Sequence, residues 1–222
     1  MAARLIDLGL PRTRAWTVSG RAEVGVPSIV VNLSDRPTVV GGAVPGLVPP
    51  GQSTILRDVA VEGDHVVLVE EPGDLSVGCL REQGWQDFYG EGAEVVLLRG
   101  PRTSLGVREV DLGALAASPW RAVASYDVRV NLWFAPAGTR CGVHDRHDFL
   151  EFHTQVAGHG EMQKFHAQHD PRPYEQQLLA PGATGAAPFC PPERDGWVYP
   201  WHQYTAHTAS VWLAVEYHAA GR

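Results

Sequence analysis

The sequence has few cysteines, no long hydrophobic run and no signal for export, and each absence excludes a class of protein. The three cysteines (Cys79, Cys141 and Cys190) lie far apart without a CxxC pair, so we expect no disulfide framework. No stretch approaches the roughly 18 consecutive apolar residues of a membrane-spanning helix. Residues 1–16 lack the apolar run and cleavage pattern of a signal peptide. We therefore expect a cytoplasmic protein without a membrane partner.

Positive charge is also scarce. The chain has 18 Lys and Arg against 25 Asp and Glu, a net charge of −7. Nucleic-acid binding requires a basic face. A nucleic-acid partner is therefore not expected.

Histidine, glycine and proline are abundant. Ten histidines stand against two methionines, a balance that favours metal or acid–base chemistry, and 24 glycines and 17 prolines divide the chain into short segments. Many short apolar or alternating runs between turn signals are typical of a β sandwich or barrel. Helix is expected only around 111–117 and near 81–89. The predicted strands are Ser28–Leu33, His65–Val69, Glu94–Leu98, Val128–Phe134, Phe149–Val156, Glu161–Phe165 and Val211–Tyr217.

An internal repeat divides the chain into two β units. The turns that end at Gly51 and Gly138 stand 87 residues apart (138 − 51), and the same offset relates residues 73–75 to residues 160–162. Internal similarity of this kind indicates repeated architecture. We predict a first unit at 1–120 and a second at 121–222.

The second unit contains a dense group of metal-ligating side chains within ten residues: His144, Asp145, His147, Glu151 and His153. Imidazole and carboxylate groups together suit Zn, Fe, Mn, Ni or Cu. We expect a strand here, because turn glycines bound a run that contains Phe, Leu and Val. At the offset of 87, the first unit has Arg57, Asp58, Ala60 and Asp64 at the positions of His144, Asp145, His147 and Glu151. The first unit is therefore predicted to be metal-free.

This pattern resembles the cupin superfamily. Its first motif is matched by Gly138 and His144, with five residues between them, and by His147 and Glu151, with three residues between them. Two residues separate the histidines where the family has one, and the second motif, at 196–202, is degenerate. The resemblance covers residues 125–218 and reaches 20–110 only through the repeat. It implies an all-β fold, the double-stranded β-helix or cupin jelly roll, with one divalent transition metal held by His144, His147, Glu151 and His202.

Strand alternation leaves a second ligand set open. Asp145, His147, Glu151 and His153 share one parity and would face the same side of a strand. His144 reaches the same metal only if a bulge or turn interrupts the strand at Asp145–Arg146. The competing set is therefore Asp145, His147, Glu151 (or His153) and His202.

A metal with open coordination positions can bind a substrate chelate and O₂, or polarise a carbonyl. We predict a metal-dependent oxidoreductase, an Fe(II) dioxygenase acting on a small organic acid or enolisable compound, with Glu151 and His153 as catalytic residues. The alternatives are a Lewis-acid isomerase, epimerase or lyase, and a non-catalytic ligand-binding cupin. Further expectations are a homodimer, a cover over the cavity formed by residues 166–195, and rim or interface positions for Glu216 and His218.

Overall fold

The computed structural model describes residues 2–10, 13–73, 75–115, 121, 123–185, 190, 192–193 and 196–220. Its two short helices are α1 (Val77–Glu82) and α2 (Leu112–Leu115). Its strands are β1 (Ala2–Ile6), β2 (Ala15–Val24), β3 (Ser28–Asn32), β4 (Thr38–Val40), β5 (Gly46–Val48), β6 (Ser53–Leu56), β7 (Val59–Glu70), β8 (Gln86–Asp87), β9 (Leu98–Arg99), β10 (Thr103–Asp111), β11 (Val123–Ala135), β12 (Leu150–Ala157), β13 (Gly160–Phe165), β14 (Glu175–Leu179), β15 (Pro192–Glu193), β16 (Gly196–Trp197), β17 (Trp201–Ala206) and β18 (Ser210–Ala219).

The prediction of an all-β fold with little helix is confirmed. Six of the seven predicted strands lie in β3, β7, β11, β12, β13 and β18. The prediction at Glu94–Leu98 is wrong except for Leu98, because only Leu98 and Arg99 find partners on β11. The helix expected near 81–89 begins earlier, at Val77, because the Ser76 side chain accepts a hydrogen bond from the Cys79 amide and caps it.

The strands form two large sheets and two small ones. Sheet A has the order β1-β2-β7-β3-β6, with β4 and β5 attached. Sheet B has the order β12-β18-β11-β9-β8, with β10 on β11. The order β14-β13-β17 makes a three-stranded sheet, and β15 pairs with β16. Pairing in all of these sheets is antiparallel.

Three hydrophobic clusters follow from the alternation of side chains across the strands. The inter-sheet core joins one face of sheet A, with Val67 and Val69, to one face of sheet B, with Leu213 and Val215. The other face of sheet A packs the first-unit interior, which contains Val18, Val24, Val30, Val61, Val66 and Leu68. The other face of sheet B contributes to the second-unit interior, which contains Leu97, Ala135, Cys141, Met162, Leu179, Tyr204, Ala206 and Trp212.

The division at residue 120 stays a prediction, and the strands cross it. β8, β9 and β10 precede that residue, yet they belong to sheet B, where β9 and β10 pair with β11. The predicted repeat turns share a conformation, with φ of 64° at Gly51 and 80° at Gly138. The homodimer stays a prediction as well.

The segment 166–195 is partly built into the sheets. β14 pairs with β13, and the Gly182 and Gly185 amides donate to the carbonyls of Gln155 and His153. Residues 186–189, 191, 194 and 195 lie outside the described residues. None of its described residues lines the main cavity, whereas Leu179 and Gly185 line a small space beside Glu151 and His153. The cover over the cavity stays a prediction.

The three cysteines are free thiols, as expected. Neither described helix is long and apolar enough to cross a membrane.

Candidate metal centre

The two predicted cupin motifs meet through a single pair of backbone hydrogen bonds. The His144 amide donates to the His202 carbonyl at 3.0 Å, and the His202 amide donates back to the His144 carbonyl at 2.8 Å. His202 lies on β17, whereas His144 forms an isolated antiparallel bridge with it. The bridge brings residues 58 positions apart (202 − 144) side by side.

The strand expected through residues 144–153 is interrupted. Residues 145–149 form no strand, and β12 begins at Leu150. The interruption removes the parity restriction, so His144 and His147 face each other. Asp145 lies outside the histidine group, and its carboxylate is instead 3.9 Å from Arg146. The geometry thus assembles the three histidines of the first ligand set and not the Asp145 set.

The ring nitrogens of the three histidines converge. His147 Nε2 lies 3.0 Å from His144 Nε2 and 3.2 Å from His202 Nε2. A metal bound by imidazoles at about 2.1 Å, with bond angles of about 90° to 110°, places the nitrogens about 3.0 to 3.4 Å apart. The observed separations therefore fit three ligands of one metal ion.

Backbone carbonyls orient two of these rings. His144 Nδ1 lies 2.9 Å from the Gly142 carbonyl, and His202 Nδ1 lies 2.8 Å from the Pro200 carbonyl. A carbonyl can only accept, so each Nδ1 carries the proton and each Nε2 presents a lone pair. Hydrogen bonds of this kind fix the tautomer and orientation of histidines that bind metals.

Burial keeps the His147 and His202 rings neutral. His202 is 2% exposed, and burial lowers its pKa to about 3, with a smaller contribution from His144. Burial also lowers the pKa of His147, and the nearby Glu151 only partly opposes this effect. Neutral imidazoles are the form that binds a metal, so these two rings need not lose a proton first.

Glu151 and His153 are on β12, and their side chains lie beside the three histidines. Glu151 Oε1 is 3.2 Å from His153 Nε2, and Oε2 is 3.7 Å from His147 Nδ1. Burial alone would raise the pKa of Glu151, but His153, His147 and His202 outweigh it and lower the pKa to about 2. The carboxylate is therefore ionised. Glu151 lies outside the group of three, and its ligation and the catalytic roles of Glu151 and His153 stay predictions.

Tyr199 holds the interrupted segment in place, a role that the sequence did not indicate. Its hydroxyl accepts from the Glu151 amide and donates to the Phe149 carbonyl, both at 2.8 Å. Burial raises its pKa, which keeps the hydroxyl protonated. The tyrosine thus fixes the backbone between His147 and Glu151.

A cavity of about 480 Å³ opens over the histidines. Its size lies in the range that small organic ligands occupy. Most of its lining is apolar or aromatic, and its charged groups include Arg99, Arg102 and Glu216. The prediction of a rim position is wrong for Glu216, which is 1% exposed in the cavity wall and bonded to Arg102, Asn131 and His218.

The arrangement is an antiparallel β structure of the jelly-roll class, with a three-histidine centre that could hold a metal. The predicted all-β fold is confirmed, and residues of both predicted motifs meet within it. The sequence matches no protein-family model and no curated protein at a significant level.

Several solved structures show detectable likeness to this chain. They include one of the DMSP lyases RdDddP and RnDddQII (17% identity, 68% of this chain and 69% of that chain, TM-score 0.36). A cupin-superfamily sugar phosphate isomerase from Silicibacter pomeroyi matches at 19% identity over 51% of this chain and 60% of that chain, with a TM-score of 0.30. Oxalate decarboxylase OxdC of Bacillus subtilis, as a deletion mutant, matches at 9% identity over 93% and 69%, with a TM-score of 0.34. At these TM-scores the likenesses carry no information on activity.

Proposed function

We propose that this chain is a metal-dependent enzyme that acts on a small organic substrate, by oxygenation at an Fe(II) centre. The observation that carries the proposal is the convergence of three imidazole nitrogens at the wall of an aromatic cavity. A structural metal site is normally closed by four protein ligands, whereas a catalytic site keeps a position open. Here the open side faces a cavity large enough for a substrate.

His144, His147 and His202 would hold the ion. When bound, such a metal polarises a coordinated oxygen atom or binds O₂. Glu151 presents an ionised carboxylate beside the centre, and His153 and His147 fix its position.

A second reaction class is favoured by the Glu151–His153 pair. An oriented, ionised carboxylate next to a Lewis acid can take a proton from carbon α to a carbonyl group, as lyases and isomerases require. The same residues therefore serve isomerase, epimerase or lyase chemistry without O₂. Fe(II), Mn, Ni, Zn and Cu all accept this donor set.

The experiment is reconstitution of metal-stripped protein with each of these five metals. Metal content is measured first, then O₂ consumption and product formation with β-diketones and small carboxylic acids. We expect one equivalent of metal per chain, and O₂ consumption that depends on both Fe(II) and substrate. Turnover with an unchanged O₂ concentration would identify the lyase or isomerase class. A chain that binds ligand but turns nothing over would be a binding protein, and a chain without metal affinity would refute the proposal.

The Glu151→Gln variant separates the two possible roles of this carboxylate. We expect turnover to fall by at least a hundredfold while one equivalent of metal remains bound. Loss of the metal instead would make Glu151 the fourth ligand. Asp145→Asn serves as the matched control, because the Asp145 carboxylate is 3.9 Å from Arg146, whereas that of Glu151 contacts His147 and His153.

A further inference from the structure

Arg99 is a half-buried cation in the cavity wall that has no carboxylate partner among the described residues. The neighbouring arginines of the cavity differ from it. Arg102 lies 3.2 Å from the Glu216 carboxylate, and Arg146 lies 3.9 Å from Asp145. The two acidic residues of the lining are also engaged, Glu216 with Arg102 and Glu151 with His153. One positive charge therefore faces the cavity unneutralised.

The strand register places this charge on the same face of sheet B as Glu151 and His153, which lie beside the metal centre. Arg99 on β9 is opposite Trp133 on β11, and Trp133 is opposite Trp212 on β18. Trp212 is in turn opposite Gln155 on β12, two positions from His153. Side chains two positions apart on a strand share a face. Arg99 and the Glu151–His153 pair consequently look into one space.

Aromatic rings form the surface between Arg99 and the histidines. The Arg99 guanidinium lies 5.8 Å from the centre of the Trp133 ring. Trp133 is parallel to Trp212 at 6.4 Å (7° between planes), and Phe88 packs edge-on against Trp133 at 5.0 Å. The Tyr89 hydroxyl next to Phe88 accepts from the Gly142 amide, and the Gly142 carbonyl orients His144. The wall is thus continuous from the cation to the metal ligands.

We propose that Arg99 is the anion-recognising residue of this cavity and that the substrate is an amphiphilic monocarboxylate with a flat apolar body. The guanidinium, held over the Trp133 ring, offers a fork of N–H groups that matches a carboxylate. The apolar body lies against Trp133, Trp212 and Phe88. The opposite end of the molecule is presented to the three histidines. This inference rests on the proposed function only in placing substrate and metal in the same cavity.

The test measures ligand binding, not turnover. Tryptophan fluorescence titrations use 3-phenylpropanoate and its neutral amide, 3-phenylpropanamide, with the whole chain in two forms, metal-stripped and loaded with redox-inert Zn²⁺. We expect the stripped protein to bind the acid at least tenfold more tightly than the amide. Arg99→Met, which keeps an apolar stem of similar length, should abolish this preference. Arg99→Lys, which keeps the charge but loses the fork, should retain part of it.

Arg57→Gln is the matched control, because it removes one positive charge from an exposed position in the first unit. It should leave the preference unchanged within twofold. A preference that survives Arg99→Met would overturn the proposal. So would a preference that appears only with Zn²⁺, since the carboxylate would then bind the metal. Weak binding of both compounds would refute the amphiphilic class. Because the stripped protein is measured, failure of the proposed metal chemistry would not produce any of these results.

Discussion

The first-unit interior and the second-unit interior occupy comparable places in the fold, but different kinds of side chain fill them. Each lies on the face of its large sheet that is turned away from the inter-sheet core. The first is packed by valines and Leu68, and the second adds Trp212, Tyr204 and the histidine centre. The sheet geometry is compatible with either set of side chains. The two interiors therefore differ in the residues that fill them, and the histidine centre depends on His144 and His147, which lie outside the regular strands.

Three of the first-unit positions at the offset of 87 from the metal-ligating group, Arg57, Asp58 and Asp64, lie at the surface and form ion pairs. Asp64 has a side chain that is 69% exposed near Arg36, and Arg57 pairs with its neighbour Asp58. In the described part of the chain, the histidine centre is the one group of three ligands close enough for a metal. The metal-free first unit stays a prediction.

Removing a metal ligand should abolish the main difference between the two interiors, which is metal binding. His147→Ala and His202→Ala should each weaken metal binding by more than about a hundredfold, because loss of even an outer partner of such ligands costs about 10- to 100-fold. Ala60→His should add no second equivalent to the first unit. Elemental analysis after equilibrium dialysis measures both. His159→Ala, at an exposed turn, is the control, and unchanged metal content in His147→Ala or His202→Ala would refute the assignment.

A substitution in the first-unit interior should affect stability alone. Leu68, 5% exposed in the valine cluster, loses most of its contacts in Leu68→Ala. We expect a loss of about 2 to 5 kcal/mol in the free energy of unfolding. Metal stoichiometry and the preference for 3-phenylpropanoate should not change. Urea denaturation and dialysis measure the two quantities, and a coupled loss of metal would contradict the separation of roles.

His65 extends the comparison to pH. It is 5% exposed, and neither ring nitrogen has a hydrogen-bond partner among the residues that the structure describes. Burial, followed by Arg108, lowers its pKa from 6.5 to about 4. Between those values the unfolded chain binds the proton and the native chain does not, so stability falls as pH decreases. The loss is about 1.4 kcal/mol per pH unit and about 3 kcal/mol in total. It is complete below pH 4 and absent above 6.5.

Denaturation at pH 7.5 and at pH 5 measures this effect, with His65→Leu as the comparison. The variant should lose about 2 kcal/mol less stability than the wild type between the two conditions, in proportion to the interval below the unfolded pKa. Equal losses in both proteins would contradict the assignment to His65.

The smallest effect is expected at the surface of the first unit. Arg14 contacts Glu70 through two hydrogen bonds of 2.7 and 3.1 Å, and its side chain is 63% exposed. Glu70→Gln should cost less than about 1 kcal/mol, and added salt should reduce the difference. Thermal unfolding in low and high salt checks this, and a larger, salt-independent loss would mean that the pair is part of the packing.

The strands were predictable wherever apolar residues alternate or form a continuous run, as in β3, β12 and β18. β2 was missed because its sequence, interrupted by Gly20 and Arg21, gives no regular pattern, and its buried positions follow from pairing with β7. The histidines of the centre were predictable from their spacing. The interruption at residues 145–149 was not, because it depends on the bridge between His144 and His202 and on the hydroxyl of Tyr199.

Arg99 shows the limit of sequence-based prediction for the cavity. An arginine at the end of a short apolar run is usually solvated, and no local pattern distinguishes this one. Its position depends on pairing with Trp133, which is 34 residues away (133 − 99), and on the partners that neutralise Arg102 and Arg146. The pairing of distant strands, and which arginines have a carboxylate partner, are known only from the folded structure.

Because the inter-sheet core contains residues of both large sheets, we expect the two units to unfold together. Because both large sheets contribute to it, neither can open without exposing apolar surface of the other. A ligand that binds only the native state stabilises everything that must unfold with its site. Metal bound by the histidines should therefore slow amide exchange in the valine-rich strand β3, although no ligand is on that strand. The first unit, predicted to be metal-free, would then be made more rigid by an ion bound in the second unit.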